Sequence, residues 1–231
     1  MDIFTDELEA ALAGDGCPLC RVDEIDQRRW METFVREAHN DAGVREQFQA
    51  SKGFCPLHAG LFSLVAHEHA ALAVVATVYA VVIDEDLRRL WSLREQIRHR
   101  IGRKPRAQAA LATCPACLRR EASTERKVYF FCRALDDESF RSRYALSAGL
   151  CASHFSTALK EAEQRHASAY GLLLDDWIRR LAALRRGMSE FDRKRDHRFA
   201  HEPRGEEQDA PLAALRHYAG TTATGFAPSD E

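Results

Sequence analysis

One four-residue pattern and its answer occur twice in this chain. Cys17-Pro18-Leu19-Cys20 is followed by Cys55-Pro56-Leu57-His58, and Cys114-Pro115-Ala116-Cys117 by Cys151-Ala152-Ser153-His154. Between Cys20 and Cys55 lie 34 residues, and between Cys117 and Cys151 lie 33. A lone C-x-x-C says little, since free cysteine is commonly a small buried hydrophobe. Two C-x-x-C motifs, each answered by C-x-x-H at nearly equal spacing, place six of the seven cysteines in one duplicated design. Three thiolates and one imidazole form a usual tetrahedral set for a structural Zn²⁺.

The spacing therefore predicts eight ligands, with pairing inside each copy as the simpler grouping: Cys17, Cys20, Cys55 and His58, then Cys114, Cys117, Cys151 and His154. Proline one residue past Cys17, Cys55 and Cys114 suits the first turn of a helix, where its missing N–H costs nothing. Helix N-termini also favour thiolate. Two zinc ions per chain are expected. An iron–sulfur cluster is the alternative, because thiolate sets with a histidine also hold clusters. No βαβ pattern supports a thioredoxin-type dithiol, and no C-x-x-C-H supports haem attachment.

Between the motifs the apolar residues recur with helical period. Residues 6–13 read as a short amphipathic helix stopped by Gly14 and Gly16, and a second helix carries Val22, Ile25, Trp30, Phe34 and Val35. A long helix is expected over 59–100, from the broad apolar face that runs from Leu61 to Ile97. The second half repeats the plan. Residues 108–112 parallel the first short helix, and Tyr79, the acidic pair, Arg-Arg and Leu90 align without a gap with Tyr170, its acidic pair, Arg-Arg and Leu181. The expected fold is all-α: two pseudo-repeated modules at 1–101 and 108–190, a linker at 102–107, and a charged extension at 191–231. In that extension a short helix is expected at 211–218 and disorder at 221–231.

Charge and hydropathy exclude several roles. The formal net charge of -2 offers no global attraction to phosphate backbones. The longest apolar run has 14 residues, short of the roughly 20 that cross a bilayer. Residues 1–16 are acidic, with no basic stretch before an apolar core, so no secretory signal is expected. Metal-bound thiols in a signal-less chain point to the cytoplasm. Cys132 aligns with Val35, which argues for packing rather than a fifth ligand, and His67, His69 and His166 share no register. The pairs Asp84/Glu85 and Asp175/Asp176 stand three to four residues before arginines, the spacing of helix-surface ion pairs. The basic stretches 98–106 and 185–198 read as solvated linker and tail.

With these motifs the chain resembles an uncharacterised prokaryotic family with duplicated Cys-Pro-x-Cys and Cys-x-x-His motifs followed by a charged tail. That resemblance implies metal sites and no assigned activity. Ala152 departs from the pattern, standing where copy one has Pro56. The sequence favours a non-enzymatic zinc protein, an interaction or regulatory adaptor with a protein partner or a second copy of itself. The alternative is a redox sensor or electron carrier using the same residues. No nucleophile-and-base pair, phosphate loop or open metal motif speaks for an enzyme.

Overall fold

The computed structural model describes residues 3–99, 111–199 and 201–220. Every regular element among the described residues is a helix, and none is a strand. Copy one supplies α1 (Ile3–Leu12), α2 (Pro18–Arg36), α3 (Ala42–Ala50), α4 (Pro56–Glu68) and α5 (Leu72–His99), with a 3-10 turn at Ala38–Asn40. Copy two supplies α6 (Pro115–Ala134), α7 (Glu138–Leu146), α8 (Ala152–Arg165) and α9 (Ala167–Arg195). A 3-10 turn at Glu206–Asp209 and α10 (Ala210–Ala219) follow.

Local chemistry marks the boundaries. Asp41 caps α3 by accepting from the Val44 N–H at 3.0 Å, and Asp137 caps α7 from the Phe140 N–H at 2.9 Å. Gly53 and Gly149, each two residues ahead of a ligand-candidate cysteine, hold φ of 98° and 78°. That left-handed turn swings the chain into the next helix start and favours glycine.

Three expectations need correction or placement. The single helix over 59–100 is two, α4 and α5, separated at His69–Ala70–Ala71. Ala70 there takes a positive φ of 52° with no glycine or proline to announce the break. The second copy breaks at the corresponding place, at His166 between α8 and α9. The charged extension is ordered over much of its length: α9 continues to Arg195, and α10 covers the short helix expected at 211–218. The linker at 102–107 and the terminus at 221–231 lie outside the described residues, as does most of the short helix expected at 108–112, of which Leu111 and Ala112 are not helical.

The chain folds as two compact units, Met1–Glu24 with Ser123–Glu231, and Ile25–Ala122. The chain passes between them within α2 and within α6. Repeat copies and compact units are thus different divisions of the chain.

The first unit buries Leu8, Leu12, Leu19, Val22, Val128, Phe131, Leu135, Phe140, Leu150 and Leu173. The second is built on aromatic rings. Phe34 lies 5.0–5.8 Å from Trp30, Phe48, Phe54 and Phe62, edge to face with the last two and tilted against the first two. In the first unit the extension is held by charge and packing. Arg193 pairs with Glu190 at 2.6 Å and with Glu202, and Lys194 reaches Glu207 at 3.1 Å. A side chain at Gly187 would collide with Ala210, so this glycine lets α10 lie close on α9.

Candidate metal centres

Each of the four motifs sits at a helix start. Cys17, Cys114, Cys55 and Cys151 immediately precede α2, α6, α4 and α8, and Cys20, Cys117, His58 and His154 lie in the first turns. Two motifs meet in each unit. Cys17, Cys20, Cys151 and His154 form one group and Cys55, His58, Cys114 and Cys117 the other, with all ligand atoms of a group within 4.8 Å of one another. All seven cysteines are free thiols.

The eight residues named from the sequence are therefore gathered into two Cys₃His groups, but the pairing within copies is overturned: the C-x-x-C of each copy meets the C-x-x-H of the other. Helix length is the reason. The 19 residues of α2 carry the chain about 28 Å without a break, about twice the 13 Å spanned by the 9 of α3. Cys55 falls in the second unit, where Cys114 and Cys117 meet it. Copy two has the same proportions, with 20 residues in α6 and 9 in α7.

In the first group the Nδ1 of His154 lies 3.4 Å from the Sγ of Cys17, 3.3 Å from that of Cys20 and 3.4 Å from that of Cys151. Cys20 and Cys151 are 3.7 Å apart. The opposite ring nitrogen, Nε2, faces Asp23 Oδ2 at 3.4 Å. Asp23 is itself held by Lys127, whose ammonium donates to Oδ1 at 2.7 Å, and by the Thr124 hydroxyl at 3.0 Å. A carboxylate behind a ligating imidazole fixes its tautomer and orientation and raises its basicity. Burial alone would depress His154, but hydrogen bonds to Asp23, Cys151 and Cys20 reverse this and lift it to about 11. Burial pushes the Cys17 thiol up, while hydrogen bonds from Cys17 and Cys20 hold Cys151 down. Three sulfurs this close share negative charge poorly without a cation among them.

The second group has the same spacing in a different setting. His58 Nδ1 lies 3.2 Å from Cys55, 3.4 Å from Cys117 and 3.7 Å from Cys114, with Cys55 and Cys117 3.7 Å apart. Cys55 and Cys117 are half-buried, whereas every member of the first group is buried. Position 120, which matches Asp23 at the repeat offset, holds an arginine. Burial, and then the charge of Arg120, keep His58 below its ordinary value.

The extension accounts for much of the difference in burial. A Cβ added at Gly220, φ 79°, would stand 3.0 Å from the Sγ of Cys20 and 3.5 Å from that of Cys151. The end of α10 thus lies directly on the first group. His217 of the same helix is buried and stacks on Trp177, which stacks in turn on Phe155.

Sequence reasoning missed Asp23, Lys127, Thr124 and Gly220. Only the offset of Asp23 from Cys20 could have drawn attention to it, and nothing marks the others. Cys132 is packed within α6, its thiol donating to the Ala158 carbonyl at 3.5 Å, and burial pushes it up to about 12. Its counterpart Val35 is buried in the other unit. His67 and His69 are exposed, and His166 is half-buried against Tyr129. Asp176 pairs with Arg179 and, at 2.7 Å, with Arg180.

Fold and centres together define a class: an all-helical protein with two Cys₃His groups, each joining two helix N-termini and each able to hold a metal ion. Residues 4–224 match the model of a family of unknown function, DUF6062, and the chain belongs to that family. No curated protein and no solved structure shows significant similarity to it. Among the described residues no helix is long and apolar enough to cross a membrane.

Proposed function

We propose that the protein is a structural zinc protein, holding one Zn²⁺ in each Cys₃His group and acting as a non-enzymatic interaction or regulatory adaptor in the cytoplasm. The observation that carries the metal is the spacing of the ligand atoms. A tetrahedral ion with Zn–S bonds of about 2.3 Å separates its sulfurs by about 3.8 Å. The 3.7 Å separations of Cys20 from Cys151 and of Cys55 from Cys117 suit that polyhedron. A cluster of several irons would hold its cysteines farther apart, which argues against the electron-carrier alternative. Four protein ligands per group leave no open position for substrate, as in structural rather than catalytic zinc sites.

An adaptor needs a surface. Ile83, Leu87, Leu90 and Trp91 recur at helical spacing along α5, and all four are largely exposed. Such a stripe suits a protein partner or a second copy of the chain. The test is metal content and absorption of protein purified anaerobically, with molar mass in solution for the wild type and for Trp91→Glu. Two zinc per chain without visible bands is the expected result. Iron with visible absorption, or no metal, would overturn the metal reading. A Trp91→Glu variant indistinguishable from wild type in molar mass and in partner capture would overturn the role given to α5.

A further inference from the structure

We propose that Cys55 and Cys117 are a peroxide-reactive pair, whose oxidation to a disulfide discharges the second metal group while the first keeps its ion. The inference rests on the reading of both groups as metal-binding. Two contrasts between two groups of identical composition carry it.

Access is the first. Cys55 and Cys117 reach solvent, whereas Cys17, Cys20 and Cys151 are buried, with α10 and Gly220 lying on Cys20 and Cys151. A small oxidant can meet a sulfur of the second group without moving a helix. Support behind the histidine is the second contrast. His154 is backed by Asp23, itself held by Lys127 and Thr124. At the matching place beside His58 stands Arg120, a cation rather than a carboxylate. Outer carboxylates of this kind typically strengthen metal binding by about 10–100-fold.

Cys55 and Cys117 come from different helix starts, α4 and α6, and their sulfurs are already 3.7 Å apart. One sulfur attacks the peroxide, breaking its O–O bond to give a sulfenic acid and release water or an alcohol. The second sulfur then attacks the first, forming the S–S bond and releasing water. Two electrons pass from the sulfurs to the peroxide, and solvent supplies the two protons. Cys114 and His58 remain as two ligands, too few to retain the ion against a chelator.

The test uses the full chain, with its metal content measured beforehand. Hydrogen peroxide is titrated in substoichiometric steps in the presence of a chromogenic zinc chelator. After each step free thiols are alkylated and disulfides are located by peptide mass spectrometry. The expected result is release of one zinc per chain, in step with a Cys55–Cys117 crosslink, while Cys17, Cys20 and Cys151 remain alkylatable once denatured. Simultaneous loss of both ions, or a first disulfide involving Cys17, Cys20 or Cys151, would overturn the proposal. So would a first bond between Cys114 and Cys117. Protein that carries no metal before peroxide is added would instead overturn the metal reading on which the proposal rests.

Discussion

Asp23 is the residue whose replacement separates the metal from the fold. Its carboxylate accepts from Lys127 and Thr124 and faces the Nε2 of His154. In Asp23→Ala the imidazole loses its orienting partner, for which typical losses are about 10–100-fold in metal affinity, or about 1.4–2.7 kcal/mol. The same change takes its carboxylate from Lys127, whose side chain is 1% exposed and also reaches the Val22 carbonyl at 3.5 Å. Breaking a buried ion pair by removing one partner costs about 3–5 kcal/mol, a large share of the roughly 5–15 kcal/mol that holds a domain together. Asp23→Ala/Lys127→Met removes both charges and restores most of the stability, but has nothing to offer His154. Stability is read by urea denaturation of the zinc-loaded protein, affinity by chelator competition resolving two ions. In the double variant the urea midpoint should recover while the first group stays weakened. If affinity recovers with stability, Asp23 acts on the metal only through Lys127, and the carboxylate–histidine argument fails. An effect confined to the second group would refute it outright.

Gly220→Ala drives a Cβ to 3.0 Å from the Sγ of Cys20 at a left-handed backbone position. Release of the first group's ion to a chelator should quicken several-fold with the second unaffected, and unchanged kinetics would show that α10 does not cover that group. Phe34→Ala empties the centre of the ring cluster in the second unit and should cost about 3–5 kcal/mol in urea denaturation. A loss below about 1 kcal/mol would mean that the cavity collapses. Glu207 is held down at about 2, against an ordinary value near 4.5, by the Gly205 N–H, the Gln208 side chain and Lys194. A carboxylate depressed in the folded state stabilises above its unfolded pKa and loses that contribution as pH falls through the folded one. The hydrogen-exchange protection that wild type holds over Glu207→Gln in residues 206–219 should therefore be full above about pH 4.5 and vanish toward pH 2. A difference persisting at pH 2 would refute the assignment.

Helical class and ligand candidates were legible because both are local: cysteine spacing, proline after cysteine, and periodic apolar residues are written in short windows. The break at Ala70 was not. Alanine is the best helix former, yet Ala70 takes a positive φ of 52° between α4 and α5. The ordering of the extension was hidden for a similar reason. Its charges look solvated in sequence, yet Arg193, Lys194, Glu202 and Glu207 pair with one another or with Glu190. Asp23 was visible only as one acidic residue among many on a helix.

The exchanged pairing shows which energies decide such a question. Chain entropy favours nearby partners, but weakly, since the cost of closing a loop grows as (3/2)RT ln n. Joining Cys20 to Cys151 spans 131 positions, against the 35 from Cys20 to Cys55. The difference is about 1 kcal/mol. For Cys55 with Cys117, 62 positions replace the 34 from Cys117 to Cys151, and the difference is about 0.5 kcal/mol. Pairing within a copy would require α2 to end early, so that the chain could turn back to Cys20. Met31, Phe34 and Val35, all buried on the far half of that helix, would then lose their places. Each such side chain contributes about 1.5–3 kcal/mol when fully buried. Continuity of α2 and α6 therefore outweighs loop entropy several times over. Each centre must take its histidine from the other copy, and neither repeat can assemble a Cys₃His group alone.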